Sequence, residues 1–264
     1  MAGQIRIGVG GWTFEPWRDN FYPKGLRQAD ELAYAGQHLT AIEVNGTYYG
    51  SQKPESFRKW HDETPDGFVF TVKGPRFTTN RRVLGEAGES IERFVTGGLT
   101  ELKGKLGAIN WQLPPTKKFD AEDFEAFLAL LPKEADGIAL RHVLELRNDS
   151  FRDPAAIALL KKYGAAQVIA ESDEHPQIAD VTAPFVYLRL QRSRADEPIG
   201  YPAKELDAWA DRLKTYRDGG VPGDLETATD EKPKKEKRDV FAFIISGAKE
   251  RNPAAAMALI ERVR

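Results

Sequence analysis

Glu43 and Glu145 are the residues of this chain best suited to proton transfer, and each sits in a short alternation of polar and apolar side chains. Paired carboxylates divide into acid and base when their surroundings separate their pKa values. Three cations, Lys73, Arg147 and Arg189, occupy similar alternations. Converging on one cavity they would hold a phosphate or a carboxylate, for which arginine's planar fork is well shaped. Lys73 belongs to both sets, as a third catalytic candidate and as an anion anchor. Asn45, Gln112, Tyr187 and Asp173 would orient a ligand, and Trp12 and Tyr48 would wall it. The competing role is structural. Buried charge is costly unless paired, so these carboxylates and cations either neutralise one another or await a ligand.

Such groups meet only if the elements carrying them share a face. Ile42-Glu43-Val44-Asn45 alternates with the period of a strand, placing Glu43 and Asn45 on one side. The same parity pairs Thr71 with Lys73, Asn110 with Gln112, Glu145 with Arg147 and Tyr187 with Arg189. Further strands are predicted over 5–11, 166–170 and 240–245, with Glu171 and Asp173 of one parity just past the sixth. Helical spacing falls at 28–39, from Pro54, at 91–102, 119–131 and 153–164, at 203–216, and from Pro253. Eight strands alternating with helices imply a parallel sheet. Strands of an open parallel sheet are packed by helices on both faces and read as apolar throughout. Polar pairs near the C-terminal ends of five strands point instead to one inward cavity. The expected fold is α/β, a single-domain (β/α)8 TIM-type barrel over residues 1–264. Residues 219–239, polar and without periodicity, read as a mobile insertion before the last strand. The loop carrying Trp12, Phe14, Trp17, Phe21 and Tyr22 is either a lid or a satellite core.

Composition narrows the chemistry. The chain has 264 residues, 41% hydrophobic and 30% charged, with a formal net charge of −2. That balance argues against a general nucleic-acid coat protein and leaves a local basic cleft open. There is no cysteine, which excludes disulfides, thiolate catalysis and cysteine-bound metal. No apolar run approaches the roughly 20 residues that span a bilayer, and Met1-Ala2-Gly3-Gln4-Ile5-Arg6 lacks the apolar stretch of a leader. A cytoplasmic location with no membrane partner is therefore expected. None of the four histidines, His38, His61, His142 and His175, has a partner at helical metal-ligand spacing. A divalent cation held by Glu43, Glu145, Asp173 and His175 is the weaker option, and no cofactor is expected. Gly8-Val9-Gly10-Gly11 is only loosely like a dinucleotide fingerprint.

The order of motifs resembles the YecE-like family, also called domain of unknown function 72. Those motifs are an early Gly-Gly-Trp, the run 43–49, Phe70-Thr71-Val72-Lys73-Gly74-Pro75, Trp111-Gln112-Leu113-Pro114-Pro115, the run 145–151 and Tyr187-Leu188-Arg189. The resemblance runs from about Ile5 to Leu190 and then weakens. It implies a TIM-type barrel of one domain and no established reaction. Gln191-Arg192 stands where the family usually continues with histidine and glycine, and Ile245-Ser246-Gly247-Ala248 replaces its acidic, asparagine-rich turn. Three functions follow as expectations. The first is an enzyme acting on a small polar anionic or sugar-like substrate at the barrel mouth. The second is a non-catalytic binder of a phosphorylated ligand or nucleic acid. The third is a metal-dependent phosphodiesterase or nuclease. Nothing in the sequence indicates an oligomeric state.

Overall fold

The structure, a computed structural model, describes residues 3–264. Met1 and Ala2, which open the stretch read as lacking a leader, lie outside the described residues. Eight parallel strands close into a barrel: β1 (Ile5–Gly10), β2 (Ala41–Val44), β3 (Val69–Lys73), β4 (Leu106–Gln112), β5 (His142–Glu145), β6 (Ala166–Glu171), β7 (Phe185–Leu190) and β8 (Asp239–Ile244). Each pairs with its neighbour in sequence, and β8 closes on β1 with Ile5 opposite Val240 and Val9 opposite Ile244. Helices α1 (Glu31–His38), α2 (Pro54–Asp62), α3 (Gly88–Val95), α4 (Ala121–Leu130), α5 (Pro154–Tyr163), α6 (Ala203–Arg217) and α7 (Asn252–Val263) lie between them or after β8. No helix joins β6 to β7. Among the described residues no helix is long and apolar enough to cross a membrane.

Strand parity divides the barrel wall as the alternation requires. Ile7, Val9, Ile42, Val44, Phe70 and Val72 point outward into the core shared with the helices. Ala41, Ala108, Val143, Ala166, Phe185 and Phe241 point inward and fill the lower barrel. The large rings of Phe185 on β7 and Phe241 on β8 share this cluster with the small Ala41 on β2 and Ala166 on β6. Gly8 is small by necessity, because a Cβ there would stand 1.8 Å from the carbonyl oxygen of Ala41. Above the apolar layer the inward positions turn polar, and the site is built there.

Four local expectations are corrected. The second strand ends at Val44. Asn45 takes helical angles (φ −84°, ψ −21°) and opens a single helical turn, Gly46–Tyr49, so strand alternation no longer sets its direction, and its amide lies against Gly10. Arg147 likewise lies beyond the last residue of β5. The helix expected over 91–102 is cut at Val95. Gly97 and Gly98 follow, Gly98 at φ +99°, and a 3-10 segment begins at Leu99. Glu171 has outward parity and is buried between β6 and α6, accepting hydrogen bonds from Tyr201 Oη (2.6 Å) and Trp209 Nε1 (2.8 Å). The aromatic loop is a satellite core: Trp17 and Tyr22 are buried, and Trp17 Nε1 donates to the Lys249 carbonyl at 2.8 Å. The stretch between α6 and β8 has no helix or strand, and it is tied down. Asp180 accepts from the Ala228 and Thr229 amides, and buried Arg238 donates to the carbonyls of Gly220 and Lys234.

One buried titratable group outside the barrel interior has a measurable consequence. Trp111 Nε1 donates to His142 Nδ1 at 3.0 Å, so the proton of the neutral ring lies on Nε2, 2.7 Å from the Pro132 carbonyl. Burial pushes the His142 pKa down to about 4, against a weaker upward pull from that carbonyl. Between about pH 4 and 6.5 the unfolded chain binds a proton there and the folded chain does not. Stability therefore falls as pH drops through that window, by up to about 3 kcal/mol. His142→Gln keeps one donor and one acceptor and does not titrate. Urea denaturation at pH 7 and pH 5 is expected to show a smaller loss in the variant than in the parent; equal losses would refute the assignment.

Candidate functional site

Five strands deliver the inward polar residues that parity assigns to them. Glu43 on β2, Thr71 and Lys73 on β3, Asn110 and Gln112 on β4, Glu145 on β5, and Tyr187 and Arg189 on β7 are all buried. Arg189 stands between the two carboxylates. Its Nη1 donates to Glu145 Oε1 at 2.5 Å and its Nη2 to Glu43 Oε1 at 3.2 Å. Tyr187 Oη donates to Glu43 Oε2 at 2.6 Å and lies 2.9 Å from Thr71 Oγ1. Asn110 Nδ2 faces both acids, at 3.4 Å from Glu43 Oε2 and 3.3 Å from Glu145 Oε2. Its Oδ1 and the Nε of Arg189 are buried without a partner.

A second tier lies nearer the mouth. Arg147, partly exposed, donates from Nε (2.8 Å) and Nη2 (2.5 Å) to Glu145 Oε1, and from Nη2 to Gln112 Oε1 at 2.9 Å. Lys73 Nζ donates to the same Gln112 oxygen and sits 4.5 Å from the centre of the Tyr48 ring. Gln112 Nε2 donates to Tyr48 Oη at 3.2 Å. Among the described residues Lys73 has no carboxylate within 4.0 Å.

Charge states follow from burial and neighbours. Burial alone would raise the Glu145 pKa, but Arg189, Arg147 and Lys73 outweigh it and hold the carboxyl at about 2. Burial lowers Lys73 to about 8, Arg189 and Arg147 push the same way, and Glu145 and Glu43 oppose. Burial opposes the charge on Arg189, yet Glu145 and Glu43 raise it above the usual arginine range. Tyr187 is raised well above the ordinary phenol value, by burial first and then by Glu43. Counted by formal charge, the cluster has two acidic and three basic side chains, a surplus of one positive charge.

Of the residues singled out in the sequence, Glu43, Glu145, Lys73, Tyr48, Gln112, Arg147, Tyr187 and Arg189 come together. Trp12 and Asn45 do not join them. They line a separate cavity of about 340 Å³ with Gly10, Gln52, Trp60 and Lys249, on the β1–β2 side of the mouth. Asp173 is exposed and paired with Arg192 at 2.8 Å. The four residues suggested for a cation therefore do not converge: Arg189 lies between the two glutamates and Asp173 faces solvent. Among the described residues no group of three or more histidine, aspartate or glutamate side chains is placed to hold a metal. Asn110 and Thr71 were legible as inward residues from parity alone and had not been singled out. Lys249, Gln52 and Trp60 carried no such signal, because they come from loops and a helix distant in sequence.

Arg189→Met would leave two buried carboxylates facing each other with only Asn110 between them. Removing one partner of a buried pair destabilises by about 3–5 kcal/mol, and urea denaturation should register that loss. Adding Glu43→Gln to Arg189→Met should recover part of it. A loss below about 1 kcal/mol would mean that Arg189 does not hold the cluster.

Comparison with known proteins agrees with this architecture. Residues 6–264 match the family model described as "Protein of unknown function DUF72", so the pattern continues past residue 190, where the motif resemblance weakened. YecE of Escherichia coli (strain K12) is 30% identical over 142 residues, 52% of this chain and 48% of YecE. YunF of Bacillus subtilis (strain 168) is 25% identical over 191 residues, 69% of this chain and 64% of YunF. The matched stretch thus spans about half of YecE and under two thirds of YunF. The crystal structure of a DUF72 family protein from Thermotoga maritima superposes with a TM-score of 0.72 over 97% of both chains at 22% identity, which shows a shared fold. With the family pattern running from Arg6 to the last residue along a closed barrel, the chain belongs to the DUF72 family.

Proposed function

We propose that the protein binds a small polar anionic ligand, of the phosphate, carboxylate or sugar-phosphate kind, at the C-terminal mouth of the barrel and acts on it there as an enzyme. The observation that carries this reading is the surplus cation. Glu43 and Glu145 are both paired with Arg189, and Glu145 also with Arg147, so the cluster has one cation more than it has carboxylates, and Lys73 is the one without a carboxylate contact. A buried uncompensated charge is destabilising, and an anion at the mouth would compensate it.

Arg147 and Lys73 anchor the anion in this reading, and Gln112 and Tyr48 orient it. Lys73, with its pKa brought down to about 8, is the group best poised to exchange a proton near neutral pH. Glu43 and Tyr187 lie fully buried beneath it and fit the role of support. Barrels of this type carry their sites at this end of the strands. That both carboxylates are engaged by arginines favours a second reading, ligand binding without turnover.

Sulfate is a suitable probe because its charge is constant across the pH range concerned. It is expected to raise the melting temperature saturably at pH 7, equivalent to about 2.7 kcal/mol at a hundred times its Kd. Lys73 is charged below about pH 8, so the effect should weaken as pH rises through 8. Added sodium chloride should also weaken it, and Arg147→Met should remove most of it. An unsaturable shift, or the same shift in Arg147→Met, would rule out the anion site.

A further inference from the structure

Lys73 differs from the other two cations of the site in what holds it. Arg147 and Arg189 grip carboxylates, whereas the Lys73 amine meets one neutral acceptor, Gln112 Oε1, and the face of one ring, Tyr48. The hydrogen bond survives loss of the proton, since a neutral amine still donates to an amide oxygen, whereas the ring attracts chiefly the charged form. The amide of Gln112 is fixed in one orientation. Its oxygen accepts from Arg147 and Lys73, so its nitrogen must be the atom donating to Tyr48 Oη. Tyr48 thus accepts one hydrogen bond and keeps its own proton to give. Burial, the largest influence on it, raises the Tyr48 pKa above the ordinary phenol value, so that proton is present at neutral pH.

We propose that Lys73 is a Schiff-base-forming nucleophile for a small aldehyde or ketone bearing an anionic group, with Tyr48 as the acid that expels water. This rests on the anion-binding reading only for the ligand's charge. The neutral Nζ forms a bond to the carbonyl carbon while the C=O π pair moves to oxygen. That oxygen takes a proton from the nitrogen, giving a carbinolamine. Tyr48 Oη then protonates the hydroxyl, the C–O bond breaks, water departs, and the nitrogen lone pair closes the C=N bond of an iminium. Tyr48 regains its proton from solvent. Counted from the ammonium form, one water is released and the charge is unchanged, with no oxidant, reductant or further reactant. The surroundings suit such an amine. Burial first, and then Arg189 on β7 and Arg147 after β5, disfavour its charged form, while Glu145 and Glu43 restrain the shift, which brings its pKa to about 8. A lysine desolvated beside cations is a recognised way to obtain a nucleophilic amine.

The full chain treated with pyruvate or with neutral acetone, in the presence of sodium cyanoborohydride, would be mapped by peptide mass spectrometry. The expected result is a reduced adduct on Lys73 formed about tenfold or more faster than on surface lysines at pH 7.5. Its rate should level off above about pH 8, while surface lysines gain up to about pH 10.4. Tyr48→Phe should slow the Lys73 adduct about tenfold and leave its pH midpoint in place. Adducts on surface lysines with Lys73 unmodified, or a Lys73 rate that tracks theirs with pH, would overturn the proposal. Labelling of Lys73 by acetone with no preference for pyruvate would uphold the imine chemistry and overturn the anion site alone.

Discussion

Two ionised carboxylates do not share the inside of one barrel unless a cation stands between them, and here Arg189 is that cation. It reaches Glu145 from one guanidinium nitrogen and Glu43 from the other. The low effective dielectric that makes those charges expensive to bury also strengthens their attraction once paired. Other inward polar contacts depend on it. Tyr187, two residues before Arg189 on β7, directs its hydroxyl at the carboxylate that Arg189 holds in place. Asn110 can face both acids with one amide nitrogen because Arg189 has fixed their oxygens. The lower inward positions are apolar, and the Arg141–Asp239 pair lies at that end, with Arg141 over the rings of Phe185 and Phe241.

That division explains how one fold combines an apolar wall with a polar rim. Outward residues of β1 to β3 are fully committed to the helices, and the lower inward residues to one another. Only the last inward positions of the strands are left for polar chemistry, and they lie at the end where the connecting loops are richest. The satellite core around Trp17 belongs to the wall: it ties the loop after β1 to the segment after β8 through the Lys249 carbonyl. The loop keeps its place because its aromatics are buried in their own cluster.

Strand parity was legible in the sequence because side chains alternate with period two whatever the tertiary context. It placed Glu43, Lys73, Gln112, Glu145, Tyr187 and Arg189 on the inner face. It failed where the chain left the extended conformation. Asn45 was assigned to a strand that ends one residue earlier, since an asparagine before glycine readily opens a turn. Asp173 was assigned from the phase of β6, but that phase turns Glu171 outward and the loop then carries Asp173 to solvent. The helix expected over 91–102 was read from apolar spacing alone, and Gly97-Gly98 outweighed it. Which carboxylate meets which cation was not legible at all. Arg189 and Glu43 are 146 residues apart, and periodicity within a segment carries no information on pairing between segments.

Gln112 decides the character of the mouth. It lies on β4, between the strand that carries Lys73 and the strand that leads to Arg147, and one oxygen of its amide accepts from both cations. A glutamate there would have the same reach and would balance the charge of the cluster at zero. The amide supplies the hydrogen bonds and omits the charge. Its other end donates to Tyr48, which a carboxylate could not do. One substitution's worth of chemistry thus leaves the rim cationic, lets the Lys73 amine lose its proton without losing its partner, and orients the Tyr48 hydroxyl. The positive surplus then follows from where the chain uses an amide in place of an acid, above a lower tier in which Arg189 has already neutralised what it can.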